Sequence, residues 1–458
     1  MVRYWLLALS VFINCIATAQ LQQQLQQATQ KLLNDAQLSN GSLSFCVIDV
    51  GTQQQVFGHQ TKLGLAPASS LKVVTTATAL ANLGNNFTFT TSIYTQGQLQ
   101  QNTFVGNVYI VGNGDPSLGS WRWKHTTTDS IFARVQQKLH TKGIYTIKGT
   151  IYVVEQQYDY QPIPDGWIWY DIGNYYGAGS YSFNWRENQY DIILQPGTKV
   201  GDSVRIQTTE PSIIGTLYNK LTTGPAGSGD NTSTYWTPKA NSGFIEGTAP
   251  LGEKNFTVSG SLPHPALTFL QQWQKSKFSL AANAYAISEQ LPANARLLDT
   301  LASPTLAALS YWFMQKSINL YGEAFTKYLG QQYNKQFRTD AGTAFIKSFW
   351  KQQQIDVNEL KMQDGSGLSP QNRVSSNALA QVLTYATQQS WYSEFYNALP
   401  LYNGMKMKSG TIGGSKAFAG IHTNKQGKTY AFAIIINNYN GSPKSLVEKM
   451  YQLLNVLK

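Results

Sequence analysis

Charge is scarce in this chain: Asp, Glu, Lys and Arg supply 13% of its 458 residues, against a usual share of about 25%. Histidine is scarcer still. Its five copies, His59, His125, His140, His264 and His422, are scattered without metal-ligand spacing, so a His-based triad or a zinc site has little support. Cysteine appears only as Cys15 and Cys46, too few for a disulfide framework. There is no phosphate-binding glycine loop and no basic repeat, so nucleotide and nucleic-acid binding have no sequence basis. Past the N-terminus no apolar run approaches the roughly 18 residues of a membrane span. No metal and no cofactor is expected.

What is present is an ordinary 42% of hydrophobic residues in a length with room for about three domains. Gln, Asn, Ser, Thr and Tyr carry the polar character. The N-terminus reads Met1-Val2-Arg3, an apolar run from Tyr4 to Ile16, then Ala17-Thr18-Ala19, the pattern of a cleavable secretory signal over residues 1–19. Cleavage there removes Cys15 and leaves Cys46 as the only thiol, so the exported chain forms no internal disulfide. Asn14 before Cys15 does not suit a lipoprotein signal. The formal charge of +11 drops by one, because residues 1–19 contain Arg3 and no acidic residue. A basic protein outside the cytoplasm meets anionic wall polymers and membrane surfaces before it meets nucleic acid. The expected location is periplasmic, with at most weak peripheral association with membrane or wall. Nothing in the sequence sets an oligomeric state.

Three short motifs follow one another: Ser69-Ser70-Leu71-Lys72, Ser317-Ile318-Asn319 and Lys408-Ser409-Gly410. S-x-x-K, S-x-N and K-[T/S]-G in that order resemble the signature of penicillin-recognising serine enzymes. Each alone is weak. A second S-x-x-K at Ser348 to Lys351 lies in a mid-helix pattern, Ser375 to Asn377 suits a helix N-cap, and Ser182 to Asn184 reads as a loop. Ser69 differs in setting. Pro67-Ala68 leads into it, and Leu71 to Ala81 reads as a buried helix closed by Gly84, which places Ser69 at a helix N-terminus. The spacing of three sets Lys72 one turn on, within reach of the hydroxyl. Leu71, Val73 and Val74 would desolvate its amine and favour the neutral form of a base, while the helix dipole favours negative charge developing at Ser69. From this motif alone an N-cap serine followed by a surface lysine explains the pattern equally well. Lys408-Ser409-Gly410-Thr411 tips the balance, because it opens a β pattern that continues in a hairpin of residues 417–423 and 429–439. An edge strand with a small Gly410 suits substrate docking by strand addition.

The first two motifs stand 248 residues apart (317 minus 69) and the last two 91 apart (408 minus 317), so a large insertion follows the nucleophile helix. The pattern is β-like at Thr88 to Thr95, Gly106 to Val111, Ile147 to Val154 and Asn255 to Leu262, and residues 161–240 are rich in Tyr, Trp, Gly, Ser and Asn. We read an insert within an insert. Residues 20–86 and 290–458 form a catalytic domain, 87–160 and 241–289 a β-rich inserted domain, and 161–240 a nested one. Helical periodicity returns at 304–316, 319–331, 341–353 and 376–388. The closing segment 445–458 is amphipathic and reads either as a membrane-surface anchor or as a helix packed on the sheet.

These insertions narrow the resemblance to low-molecular-mass class C penicillin-binding proteins, the D-alanyl-D-alanine carboxypeptidase/endopeptidase family, across nearly the whole exported chain. Gly112-Asn113-Gly114-Asp115-Pro116 looks like that family's Gly-x-Gly-Asp-Pro segment. Asp364-Gly365-Ser366-Gly367-Leu368-Ser369 is similar to its hallmark loop near the active site, and Gly166-Trp167-Ile168-Trp169-Tyr170-Asp171 resembles its Gly-Trp-x-Trp-x-Asp segment. The resemblance implies an α/β (α+β) serine transpeptidase-like fold, an antiparallel sheet flanked by helices with nested β-rich insertions. It implies cleavage of D-Ala-D-Ala stem peptides or D-alanyl cross-links of peptidoglycan through a Ser69 acyl-enzyme that β-lactams also form. In that scheme Lys72 is the base, Ser317 relays a proton, Asn319 binds the acyl-side amide, and Lys408 with Ser409 holds the terminal carboxylate. Gly410 gives the substrate backbone room, and the backbone N–H groups of Ser69 and Thr411 make the oxyanion hole. Asp171 binds the amino end of a diamino-acid side chain, unless it only caps its loop. Pro370 and Gly413 depart from some relatives, at positions tied to side-chain recognition. Two rivals share the motifs: a serine β-lactamase, whose class A members keep the first two motifs close together, and a non-catalytic wall-binding or antibiotic-sensing protein.

Overall fold

A computed structural model describes residues 19–155 and 161–458, so the expected signal segment falls, but for Ala19, outside the described residues. The chain divides into two compact units. One takes in the chain up to Asn85, Ser310–Ser317 and Thr343–Lys458; the other comprises Asn86–Leu309 and Ile318–Gly342.

The first unit is built on a sheet of six strands: β1 (Ser42–Asp49), β2 (Gln54–His59), β3 (Leu401–Tyr402), β4 (Met405–Ile412), β5 (Ser415–Thr423) and β6 (Thr429–Asn437). Their order is β3-β4-β5-β6-β1-β2, every pair antiparallel. The sequence of β6, Thr-Tyr-Ala-Phe-Ala-Ile-Ile-Ile-Asn, is apolar almost throughout instead of alternating, because this central strand is covered on both faces. Phe432, Ile434 and Ile436 meet Leu43, Phe45 and Val47 on one face, together with Leu25 and Leu32 of helix α1 (residues 19–33). The C-terminal helix Pro443–Leu454 closes that face with Leu446, Met450, Leu453 and Leu454. Its apolar stripe is therefore spent on the sheet, the packed alternative of the two readings, and is not presented to a membrane surface. Among the described residues no helix is long and apolar enough to cross a membrane.

The opposite sheet face carries the chemistry. Strand register aligns Lys408 with Ala419, Ala433 and Cys46, and Gly410 with Ala417, Ile435 and Ser44. Helix Ser376–Ala386 packs there, its Ala380 against Cys46 and Ile48 and its Ser376 hydroxyl 2.7 Å from that of Ser44. Cys46 is wholly buried, and burial pushes its thiol up to about 12. Helix α2 (Lys72–Leu83) is buried on all sides from Lys72 to Leu80, the signature of a core helix rather than a surface one.

The second unit holds a mainly β core. The strand path Ala284–Ser288, Thr150–Val154, Thr103–Gly112, Thr90–Gln100, Arg296–Ala302 makes one sheet, and helices Thr128–His140 and Pro265–Lys275 seal it with Phe132, Leu139, Phe269 and Trp273. Two three-stranded sheets complete it: Phe256–Ser261 with Gln189–Gln195 and Arg205–Glu210, and Asn231–Tyr235 with Ser242–Pro250 and Thr216–Gly224.

Candidate active site

Ser69 sits in a 3-10 turn, Ala68–Leu71, that runs directly into α2, instead of at the head of the α-helix expected from the sequence. The tighter turn has a local cause. Ala68 takes a left-handed φ of 46°, and Ser70 returns both its backbone N–H (3.2 Å) and its hydroxyl (2.7 Å) to the Pro67 carbonyl. A non-glycine residue in that region is strained, and such strain persists where the surroundings fix it. Here they do. A Cβ on Gly410 of β4 would lie 2.5 Å from the Pro67 oxygen and 2.8 Å from the Ser70 nitrogen. On Gly367, itself at φ 85°, one would lie 2.0 Å from the Ala68 oxygen. Strand and hallmark loop thus grip the nucleophile turn backbone to backbone.

Lys72 is fully buried at the start of α2, its Nζ 3.0 Å from Ser69 Oγ. The same amine donates to the Ser366 carbonyl at 2.6 Å and lies 5.4 Å from the centre of the Phe313 ring. The hallmark loop owes its shape to buried Asp364, whose carboxylate accepts from Gly367 N (2.7 Å), Ser369 N (2.6 Å) and Asn372 Nδ2 (3.1 Å). Thr75, one turn after Lys72, ties down the Gly365 carbonyl at 2.6 Å. Lys408 is 2% exposed and donates to the Ser409 carbonyl at 2.8 Å. Burial holds its amine well below the ordinary value of 10.5, and the neighbouring amines of Lys72 and Lys416 push the same way. Thr411 is exposed, its hydroxyl accepting from Lys416 at 2.6 Å. Beside residues 408–411 no strand lies on the outer side of β4 among the described residues, since β3 pairs only with Met405 and Lys406. Residues 408–411 thus lie on an open strand edge among the described residues.

Ser317 is left-handed at φ 58° and closes the segment that carries Phe313. Two residues on, Asn319 opens helix Asn319–Asn334 in the second unit and donates to the Tyr176 carbonyl at 2.8 Å. Tyr176 also hydrogen-bonds Asp171 through its side chain, and burial lifts the Asp171 carboxyl to about 6. One residue of the second unit therefore links the second motif to the carboxylate expected to recognise an ammonium group. Of the lookalike motifs, Ser348 and Lys351 are exposed on helix Thr339–Gln352, Ser375 caps helix Ser376–Ala386, and Asn184 bonds the Gly114, Asp115 and Tyr181 carbonyls. Sequence reasoning did not find Thr75, Phe313, Tyr176 or the role of the Ser366 carbonyl; only the fold brings them in.

A nucleophilic hydroxyl, a buried amine in hydrogen-bond reach and a glycine-bearing edge strand define a serine acyl-transfer enzyme of the penicillin-recognising class. Residues 25–457 match the profile of the D-Ala-D-Ala carboxypeptidase 3 (S13) family, and the chain belongs to that family of serine D-Ala-D-Ala carboxypeptidases. It is 25% identical over 463 residues to a D-alanyl-D-alanine carboxypeptidase of Actinomadura sp. (strain R39), covering 91% of this chain and 82% of the relative. The crystal structure of penicillin binding protein 4 (dacB) from Haemophilus influenzae superposes with a TM-score of 0.80 at 21% identity, covering 94% of this chain and 98% of the other. The same Haemophilus protein complexed with a β-lactam matches at a TM-score of 0.75, with the same identity and coverage. The expected fold class holds.

Proposed function

We propose that the protein is exported to the periplasm and there removes the terminal D-alanine of peptidoglycan stem peptides, and opens D-alanyl cross-links, through an acyl-enzyme on Ser69. The observation that carries this is the buried Lys72 amine 3.0 Å from Ser69 Oγ, aimed by the Ser366 carbonyl. Ser69 attacks the carbonyl between the two D-alanines while neutral Lys72 takes its proton. Ser317 passes a proton to the leaving amine, Asn319 holds the acyl-side amide, and Lys408 with Ser409 receives the terminal carboxylate. Gly410 lets the peptide lie against β4, and the N–H groups of Ser69 and Thr411 stabilise the oxyanion, a contribution of about 3 kcal/mol per donor. Water then frees the shortened peptide, regenerating Ser69. Asp171, placed by Tyr176, selects a side-chain ammonium, and the hallmark residues Asp364, Gly365, Ser366 and Gly367 keep Lys72 in line. The catalytic domain comprises residues 20–86 and 290–458, with the nested inserts between.

Benzylpenicillin takes the acylation step: Ser69 attacks the lactam carbonyl, the ring C–N bond breaks with its nitrogen still tethered to the acyl group, and water releases the product slowly, in line with the β-lactam complex of the Haemophilus relative. Intact mass after benzylpenicillin is expected to show one adduct on the wild type and none on Ser69→Ala. A wild type without an adduct would overturn the proposal, and nitrocefin turnover outpacing peptide turnover would move the chain to the β-lactamases.

A further inference from the structure

A row of aromatic side chains runs across one face of the Asn231–Tyr235, Ser242–Pro250, Thr216–Gly224 sheet. Register pairs Tyr235 with Phe244 and Phe244 with Tyr218, so all three share a face. The Tyr235 and Phe244 rings stack at 4.7 Å and 17°. Strand alternation sends Trp236, Ile245 and Leu221 into the core instead. The row continues onto the short helix Trp169–Ile172, where Trp169 lies 5.6 Å and Tyr170 6.3 Å from the Tyr235 ring. It is open to solvent: Tyr218 is 60% exposed, Tyr170 52% and Trp169 49%. Cross-strand aromatic pairing stabilises a sheet, yet it does not require rings left this bare.

The neighbours of the row identify the ligand chemistry. Exposed Lys220 and Glu246, paired in register two residues along the same strands, flank it, with Lys220 Nζ 4.6 Å from the Phe244 ring centre. Flat aromatic faces with donors and acceptors alongside suit the C–H faces and the hydroxyl and acetamido groups of a pyranose chain, where an aliphatic peptide helix would want a groove. Three strands and the adjoining indole span about 15 Å, several sugar rings. The row is also joined to the helix that carries Asp171. Gly173, directly after the short helix, leaves no room for a Cβ, which would lie 2.0 Å from the Thr234 oxygen, and Asn174 Oδ1 accepts from Thr234 N at 3.1 Å. That same helix holds Asp171.

We infer that Trp169, Tyr170, Tyr235, Phe244 and Tyr218 form a binding platform for the N-acetylhexosamine backbone of peptidoglycan, which docks the glycan whose stem peptide enters the site. This rests on the peptidase reading for its substrate, and its test is separable from that reading. Titration calorimetry of the full chain with tetra-N-acetylchitotetraose, and with peptide-free glycan strands released by an amidase, is expected to show saturable binding. The double variant Tyr218→Thr/Tyr235→Thr keeps β-forming residues and is expected to bind at least tenfold more weakly. Its KM for pentapeptide still borne on glycan rises about tenfold, while kcat and the hydrolysis of free pentapeptide stay unchanged, a split that a merely structural role would not produce. Trp169→Ser, at an exposed side chain, serves if the strand variant does not fold. Equal binding by wild type and variant, or no binding of either glycan by the wild type, overturns the platform. The benzylpenicillin adduct reads the chemistry separately: glycan binding without acylation keeps the platform and sinks the peptidase mechanism, and acylation without glycan binding does the reverse.

Discussion

Each unit buries charge, and each treats it differently. In the second unit Glu187 is fully buried and satisfied, accepting from Arg122 in a two-pronged pair at 2.7 and 3.0 Å, from Ser120 at 2.7 Å and from Tyr321 at 2.8 Å. In the first unit Lys408 is buried near two other amines, those of Lys72 and Lys416, and its protonated form is disfavoured, first by burial. A compensated buried ion holds a fold together and is costly only when broken. An amine buried among other amines costs stability, and groups perturbed in this way mark candidate sites.

Replacing Lys408 by Met tests that contrast most severely. The variant is expected to lose two to three orders of magnitude in kcat/KM for D-Ala-D-Ala peptides, yet to melt higher than the wild type, because an unfavourable buried charge is gone. The pH dependence has a definite sign. Lys408 binds its proton more weakly folded than unfolded, so wild-type stability rises with pH between its lowered value and 10.5, and the variant loses that rise. Arg122→Met should do the opposite: a loss of about 3–5 kcal/mol in denaturant unfolding, with acylation per folded molecule retained. A Lys408→Met protein less stable than wild type would break the comparison.

The smallest effect concerns Asp171. With its carboxyl near 6, selectivity for peptides bearing a side-chain ammonium should strengthen as pH rises through about 6, and Asp171→Asn should flatten that profile at a few-fold cost. The raised acid also contributes stability that is full below the ordinary 3.8 and lost as pH climbs through about 6. A pH-independent preference that survives the substitution would count against Asp171 as the recognition residue.

The motifs were legible because their chemistry is local: three residues separate Ser69 from Lys72, and the apolar pattern around them already announces a buried helix. The β6 run and the helical periods after residue 304 were legible for the same reason. Long-range partners left no such trace. Thr75 reaches Gly365, and Glu187 reaches Arg122 and Tyr321, across gaps no periodicity spans. The 3-10 turn at Ser69 was missed because a left-handed Ala68 is imposed by Gly367 and Gly410, far along the chain. The exposed aromatic row is in sequence only part of a Tyr- and Trp-rich stretch, until register sets its members side by side.

The grip on the nucleophile turn bears on antibiotic escape. With the Ala68 oxygen and the Ser70 nitrogen already at closest approach to Gly367 and Gly410, a side chain added at either glycine would push the turn beneath Ser69 out of place before it could act on a bound drug. At these two glycines, escape by added bulk is closed.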